Sequence, residues 1–247
     1  MSAEPRRVAI VANTAFYIGP PLARLLAERG HDLVIGMPAD GLVPELEGLG
    51  ATVEVVDDVR ALDARSSGAL VQRAIDRFGR LDAAAAFTGR VVTGPFLDAD
   101  PGDLDKLVAG CLHEPFHFLQ ATAEVMAERG DGQILLLTSA TGSRPTPNAP
   151  LYSSVRAAAN MLVRNVAAEV ASRGVQVNAV GTNFMDFPEF RRASGADDPE
   201  VRARLEAAVP LRRLGTVEEC AAFCLPFVDG TSRFTTGQVV NYAGGWV

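Results

Sequence analysis

Residues 133–138 read QILLLT, an apolar run with no polar alternation. Such a run suits a strand buried on both faces, as in the middle of a parallel sheet. Outward from it, short apolar β-rich runs alternate with longer helical stretches. Residues 7–11, 32–36, 52–56, 81–87, 175–180 and 238–242 read as further strands, although the AAAA within 81–87 also suits a helix. A helix running through residue 27 and others at 66–78, 104–128, 151–172 and 217–228 fill the intervals. This alternation predicts an α/β fold of the Rossmann type: a doubly wound parallel sheet flanked by helices. The 247 residues fit one domain spanning 1–247.

Composition narrows the function classes. The formal net charge of −7 argues against nucleic acid and anionic membrane as partners. No apolar run reaches the roughly 20 residues of a membrane span. The start, MSAEPRR, has no apolar stretch after its charges, so a secretory signal is not expected and a cytoplasmic location is. The three cysteines, Cys111, Cys220 and Cys224, form no disulfide framework. Cys220 and Cys224 share a helix face, but no His or Cys cluster accompanies them. Core packing is expected there, with no metal.

The least regular stretch is NFMDFPEFRRASGADD at 183–198. It follows the C-terminal end of a strand, where doubly wound folds place their ligand crevice. A segment that long between regular elements is expected to cover substrate rather than merely connect.

The first turn is unusual. A nucleotide-binding turn needs glycines so that the backbone can approach a pyrophosphate and enter a helix sharply. Here strand one is followed by ANTAFYIGP, residues 12–20, with Gly19 alone among the expected glycines. Phe16 and Tyr17 stand where phosphates need room. Strand two ends Val34, Ile35, Gly36, Met37, with no acid for a ribose diol and no Arg for a 2′-phosphate. Two readings follow: a degraded turn that still takes NAD(P), or an aromatic wall filling the nicotinamide and phosphate space. Joint loss of glycines and ribose reader favours the second, so no cofactor is expected.

Ser139 lies just past the central strand, Tyr152 thirteen positions later near a helix start, and Arg156 four residues on, on the same helix face. A phenol is a poor base near neutral pH, and a guanidinium within a few Å favours its ionised form. Arg keeps its charge when buried. Tyr152 is therefore a candidate general base for a substrate hydroxyl, and Ser139 can hold the same oxygen by a hydrogen bond.

These residues resemble the short-chain dehydrogenase/reductase superfamily, whose signature is a Ser followed by Tyr-x-x-x-Lys. The resemblance covers nearly the whole chain, through RFGRLD, VQVNAV, PLRRLGTVEE and TGQVVNYAGGW. Arg156 replaces the Lys, the Gly-rich turn is missing, and Cys111 in GCLHEPF stands where an asparagine is usual. Ser-x12-Tyr-x3-Arg, with Tyr17 two residues before Gly19, is similar to halohydrin dehalogenases, although Ala12 stands where that family has Thr. SATGSRP, VGTNFMDFPEF and VPLRRLGT resemble a subgroup acting on bulky or cyclic epoxides.

That resemblance implies cofactor-free expulsion of halide from a vicinal haloalcohol to form an epoxide, and ring opening by azide, cyanide or nitrite in reverse. It implies Tyr152 as acid and base, Arg156 as its tuner and Ser139 as orienter. It further implies a halide site from Tyr17, Thr182, Asn183, Phe184 and Met185, a substrate pocket with Phe16, Phe87 and Phe187, and a homotetramer. The alternatives are an NAD(P)-dependent reductase and a catalytically inactive scaffold. Retention of Ser139, Tyr152 and Arg156 argues against the scaffold.

Overall fold

The computed structural model describes residues 6–247; the expectation for the first residues lies outside this range. The strands are β1 (Arg7–Val11), β2 (His31–Gly36), β3 (Val53–Val56), β4 (Ala83–Phe87), β5 (Gly132–Ser139), β6 (Val175–Thr182), β7 (Met185–Asp186), β8 (Gly215–Thr216) and β9 (Val239–Tyr242). The helices are α1 (Gly19–Glu28), α2 (Leu42–Gly48), α3 (Ala64–Phe78), α4 (Pro101–Val108), α5 (Glu114–Arg129), α6 (Pro150–Val170), α7 (Pro188–Ser194), α8 (Pro199–Ala208) and α9 (Val217–Cys224).

Seven strands form one parallel sheet in the order β3-β2-β1-β4-β5-β6-β9. The chain moves outward from β1 through β2 to β3, then returns to the other side of β1 with β4. The C-terminal ends of β1 and β4 therefore border a topological switch point, the usual ligand crevice of such sheets.

Alternate residues of each strand feed two cores. Ala9, Val11, Ala83, Ala85, Leu135 and Leu137 pack with α1, α2 and α9 on one face. Val8, Ile10, Ala84, Ala86, Ile134 and Leu136 pack with α3, α5 and α6 on the other. Both faces of β4 are covered, so its AAAA takes its conformation from the sheet rather than from alanine's preference for helix. Cys220 and Cys224 are buried in the first of these cores, as expected of small apolar groups.

At the opposite end of the sheet, the Asp82 carboxylate is fully buried. It accepts from the Val8 N–H at 2.8 Å and pairs with Arg80 at 2.7 Å and with Arg129. Burial opposes ionisation there, but these donors hold the Asp82 pKa below the usual carboxylate value.

Two expectations need correction. The helix expected over 104–128 starts earlier, at Pro101 under an Asp100 cap, and is broken by a π turn at Ala109–His113. The stretch 183–198 is not irregular, because it contains β7 and α7, and β7 pairs with β8 in a small separate sheet. Among the described residues, no helix is long and apolar enough to cross a membrane. Nor is any group of three or more His, Cys, Asp or Glu placed to hold a metal ion.

Candidate active site

Ser139 ends β5 in register with Thr182 at the end of β6. Its backbone is extended, and it caps a short turn over Ala140–Ser143. The Ser139 hydroxyl accepts from the Thr141 hydroxyl at 2.9 Å and donates to the Thr182 carbonyl at 3.4 Å. This turn lies directly on α6: a Cβ added to Gly142 would sit 2.8 Å from the Ala157 nitrogen, so only glycine fits. The loop after the central strand is thereby held against the helix that carries Tyr152.

Pro150 opens α6 with a backbone already suited to a helix start, which puts Tyr152 in the first turn. One turn later, Arg156 Nε donates to the Tyr152 hydroxyl at 3.1 Å, and Nη2 donates to the Thr88 carbonyl at 2.7 Å. Among the described residues, Nη1 meets no hydrogen-bond partner. Ser139, Tyr152 and Arg156 are only 5, 6 and 2 % exposed. Burial opposes the Arg156 charge, but the neighbouring Tyr152 and Cys111 outweigh it, so its pKa stands above the ordinary guanidinium value. The Cys111 thiol is raised by burial and donates to the Arg90 carbonyl at 3.5 Å.

Across the switch point lies an aromatic cluster. Tyr17 takes a left-handed backbone, φ 62°. Its ring lies 5.1 Å from that of Phe87 and 4.5 Å from that of Phe187. Phe16 meets Phe87 edge-on at 5.5 Å. The Tyr17 hydroxyl and Thr182 Oγ1 are 2.6 Å apart. Burial pushes the Tyr17 pKa well above that of a free phenol, so this group stays protonated. Of the two tyrosines at the crevice, only Tyr152 carries a cation on its oxygen.

Phe16, Tyr17, Phe87, Phe187 and Thr182 thus come together. Asn183, Phe184 and Met185 line a cavity of about 160 Å³ with Leu211, Arg213 and Tyr242, and Met185 is also buried in the core that holds Tyr17. The Phe184 ring meets Trp246 edge-on at 5.5 Å. In this loop the Phe184 N–H donates to Asn183 Oδ1 and the Asn183 N–H to the Tyr242 carbonyl. Two supports escaped the sequence reading, the Thr141 hydroxyl on Ser139 and the Thr88 carbonyl on Arg156. SATGSRP could have suggested Thr141, but a backbone carbonyl leaves no trace in residue identity.

The family model described as enoyl-(acyl carrier protein) reductase matches residues 15–247. An uncharacterized oxidoreductase, YohF, of Escherichia coli K12 is 29% identical over 248 residues, covering 98% of this chain and 96% of its own. The crystal structure of acetoin dehydrogenase from Enterobacter cloacae has a TM-score of 0.84 at 29% identity, covering 99% of this chain and 96% of its own. "ElxO with NADP Bound" has a TM-score of 0.88 and covers 98% of both chains, but at 20% identity it speaks for the fold alone.

These findings overturn the dehalogenase expectation. The relatives are named as oxidoreductases, so the carbon–halide lyase activity falls, and with it the haloalcohol, epoxide, halide and small-anion partners. The Ser139, Tyr152 and Arg156 arrangement serves hydroxyl and carbonyl chemistry equally well, and the aromatic turn does not by itself separate halide expulsion from hydride transfer. By the match over residues 15–247 and the shared seven-stranded fold, the chain belongs to the short-chain dehydrogenase/reductase superfamily, in its enoyl-(acyl carrier protein) reductase-like branch.

Proposed function

We propose that this protein is an oxidoreductase acting on a compact, largely apolar alcohol or its carbonyl counterpart. The observation that carries the reading is the buried Arg156–Tyr152 pair, with the guanidinium donating to the phenol oxygen at 3.1 Å. In the reducing direction, Tyr152 gives its proton to the carbonyl oxygen as that oxygen gains charge. In the oxidising direction it takes the hydroxyl proton back. Arg156, charged throughout, stabilises the phenolate left when the proton has gone. Ser139 holds the substrate oxygen by turning its one hydroxyl hydrogen from the Thr182 carbonyl, 3.4 Å away, to that oxygen, while the Thr141 hydroxyl goes on donating to Ser139. The aromatic rings of Phe87 and Phe187 favour an apolar substrate body.

In this superfamily the accompanying hydride travels on a nicotinamide dinucleotide. The residues at the crevice do not fit that group as they stand: the Tyr17 ring lies between Phe87 and Phe187 across the switch point.

A panel of small secondary alcohols, diols, hydroxyketones and diketones, each with oxidised or reduced NAD and NADP, tests the reading by absorbance of the nicotinamide. Turnover is expected with at least one pair. Tyr152→Phe should lower it by roughly 100-fold or more while the circular dichroism spectrum stays unchanged, the usual size of a general acid–base contribution. A Tyr152→Phe variant with near wild-type turnover refutes the assignment.

A further inference from the structure

We propose that the cavity beyond the end of β6 is a second small-molecule site, which takes an organic acid by its carboxylate. The site is independent of the oxidoreductase reading and needs nothing bound in the crevice. The cavity measures about 160 Å³. Drug-sized sites begin at roughly 300 Å³, so the occupant here is a short chain or a single ring. Strand register places the cavity: Ser139 pairs with Thr182, and Thr182 with Tyr242. Two strand spacings, about 10 Å, therefore separate the backbones of Ser139 and Tyr242. None of Ser139, Tyr152 and Arg156 lines the cavity.

Phe184, Met185, Val209 and Leu211 supply apolar walls. The polar lining is made of donors. Asn183 Oδ1 already accepts from the Phe184 N–H at 3.0 Å, and Asn241 Oδ1 from the Ser143 hydroxyl at 3.0 Å, leaving the NH2 of each amide as the group to offer. The Tyr242 phenol is a third donor; burial raises its pKa, so it keeps its proton. Arg213 brings a positive charge to the rim, balanced by its bonds to both Glu219 oxygens at 2.7 and 2.8 Å. Among the described residues no carboxylate lines the cavity. A ketone oxygen accepts about two hydrogen bonds and a carboxylate about four, so the carboxylate is the group that can take all three donors at once. Space beside the phenol is kept open by Gly215, where a Cβ would stand 3.1 Å from Met185 Sδ and 3.5 Å from Tyr242 Cε1. Phe184 and Arg212 hold left-handed backbones, φ 55° and 56°. That conformation is uncommon for residues other than glycine and collects at segments that hold ligands.

The test is isothermal calorimetry of the full chain with cyclohexanecarboxylate and with its neutral isostere, cyclohexanecarboxamide. Fluorescence of Trp246, the single tryptophan, gives a local readout, because its ring meets that of Phe184 at the cavity wall. The carboxylate should bind saturably, and the amide at least about tenfold more weakly. Tyr242→Phe removes one donor to a charged acceptor and should weaken the carboxylate by about tenfold or more. Asn183→Asp keeps an oxygen for the Phe184 N–H but replaces the NH2 with a like charge, and should abolish binding. If Asn183→Asp fails to fold by circular dichroism, Tyr242→Phe still decides. Tyr152→Phe, in the crevice, should bind the carboxylate as wild type does. No saturable binding at millimolar carboxylate, equal affinity for the amide, or a Tyr242→Phe variant indistinguishable from wild type overturns the site. Loss of binding in Tyr152→Phe places the carboxylate in the crevice and overturns it too. Each of these results leaves the oxidoreductase reading standing, since that reading is decided by turnover.

Discussion

Replacing Arg156 with Lys and with Met separates its two jobs. The guanidinium joins α6 to the end of β4 through Thr88 and supplies a charged donor to Tyr152. Each charge-assisted bond contributes about 1.5–3 kcal/mol. Met removes both, a loss of roughly 3–6 kcal/mol, but also removes the partnerless Nη1, whose burial costs about 1–3 kcal/mol. The net cost is about 3 kcal/mol. Lys has a single nitrogen, keeps one bond, and also lacks the orphan, so its net cost is about 1 kcal/mol or less. Urea unfolding should show this directly. With a slope of about 3 kcal/mol/M for a chain of this size, Met should lower the midpoint by about 1 M and Lys by about 0.3 M. Turnover adds a readout that packing alone would not give: Lys should retain most of it, and Met should lose at least tenfold in kcat. If Met and Lys shift the midpoint equally, or Met leaves kcat intact, Arg156 is neither tie nor donor in the sense argued.

Two other perturbations probe the scaffold. The Asp82 pKa is depressed in the folded protein, so its contribution is present above the unfolded value near ~3.9 and is lost as pH falls through the folded one. Urea midpoints at successively lower pH should therefore drop less steeply below pH ~4 in Asp82→Asn than in wild type, and parallel curves would contradict the assignment. Gly19→Ala places a methyl group 2.0 Å from the Asn13 carbonyl oxygen and should cost about 1–3 kcal/mol, measured by thermal melting; an unchanged melting temperature would show that the turn is more yielding than its packing suggests.

Much of the architecture was legible because burial on two faces leaves continuous apolar runs, as in QILLLT and VQVNAV. α7 and α8 were not, since neither buries a residue, and so neither has an apolar stripe to give a helical period. The Ser139, Tyr152 and Arg156 set was legible from spacing, because one helical turn must bring Tyr152 and Arg156 together. The reaction was not. Proton exchange at an oxygen is common to hydride transfer and halide expulsion, and the decision was rested on Phe16 and Tyr17. Residue identity shows that rings are present at the turn, but not which of the two reactions they accompany. The N–H groups of the loop at 183–184 were illegible for a related reason: they are satisfied by Asn183 and Tyr242, partners fixed only by tertiary structure.

The π turn between α4 and α5 acts as a phase shifter. One extra residue in a helical turn rotates everything beyond it by about 100° relative to a regular helix. α4 and α5 can therefore aim their apolar sides in directions that no single straight helix could serve, with Cys111 at the point of change. Deleting one residue there would leave composition almost untouched, yet it would turn Phe118 and Leu119 away from the sheet they now cover. At this point the length of the chain, more than the chemistry of any side chain, keeps the two halves of the helical layer in step.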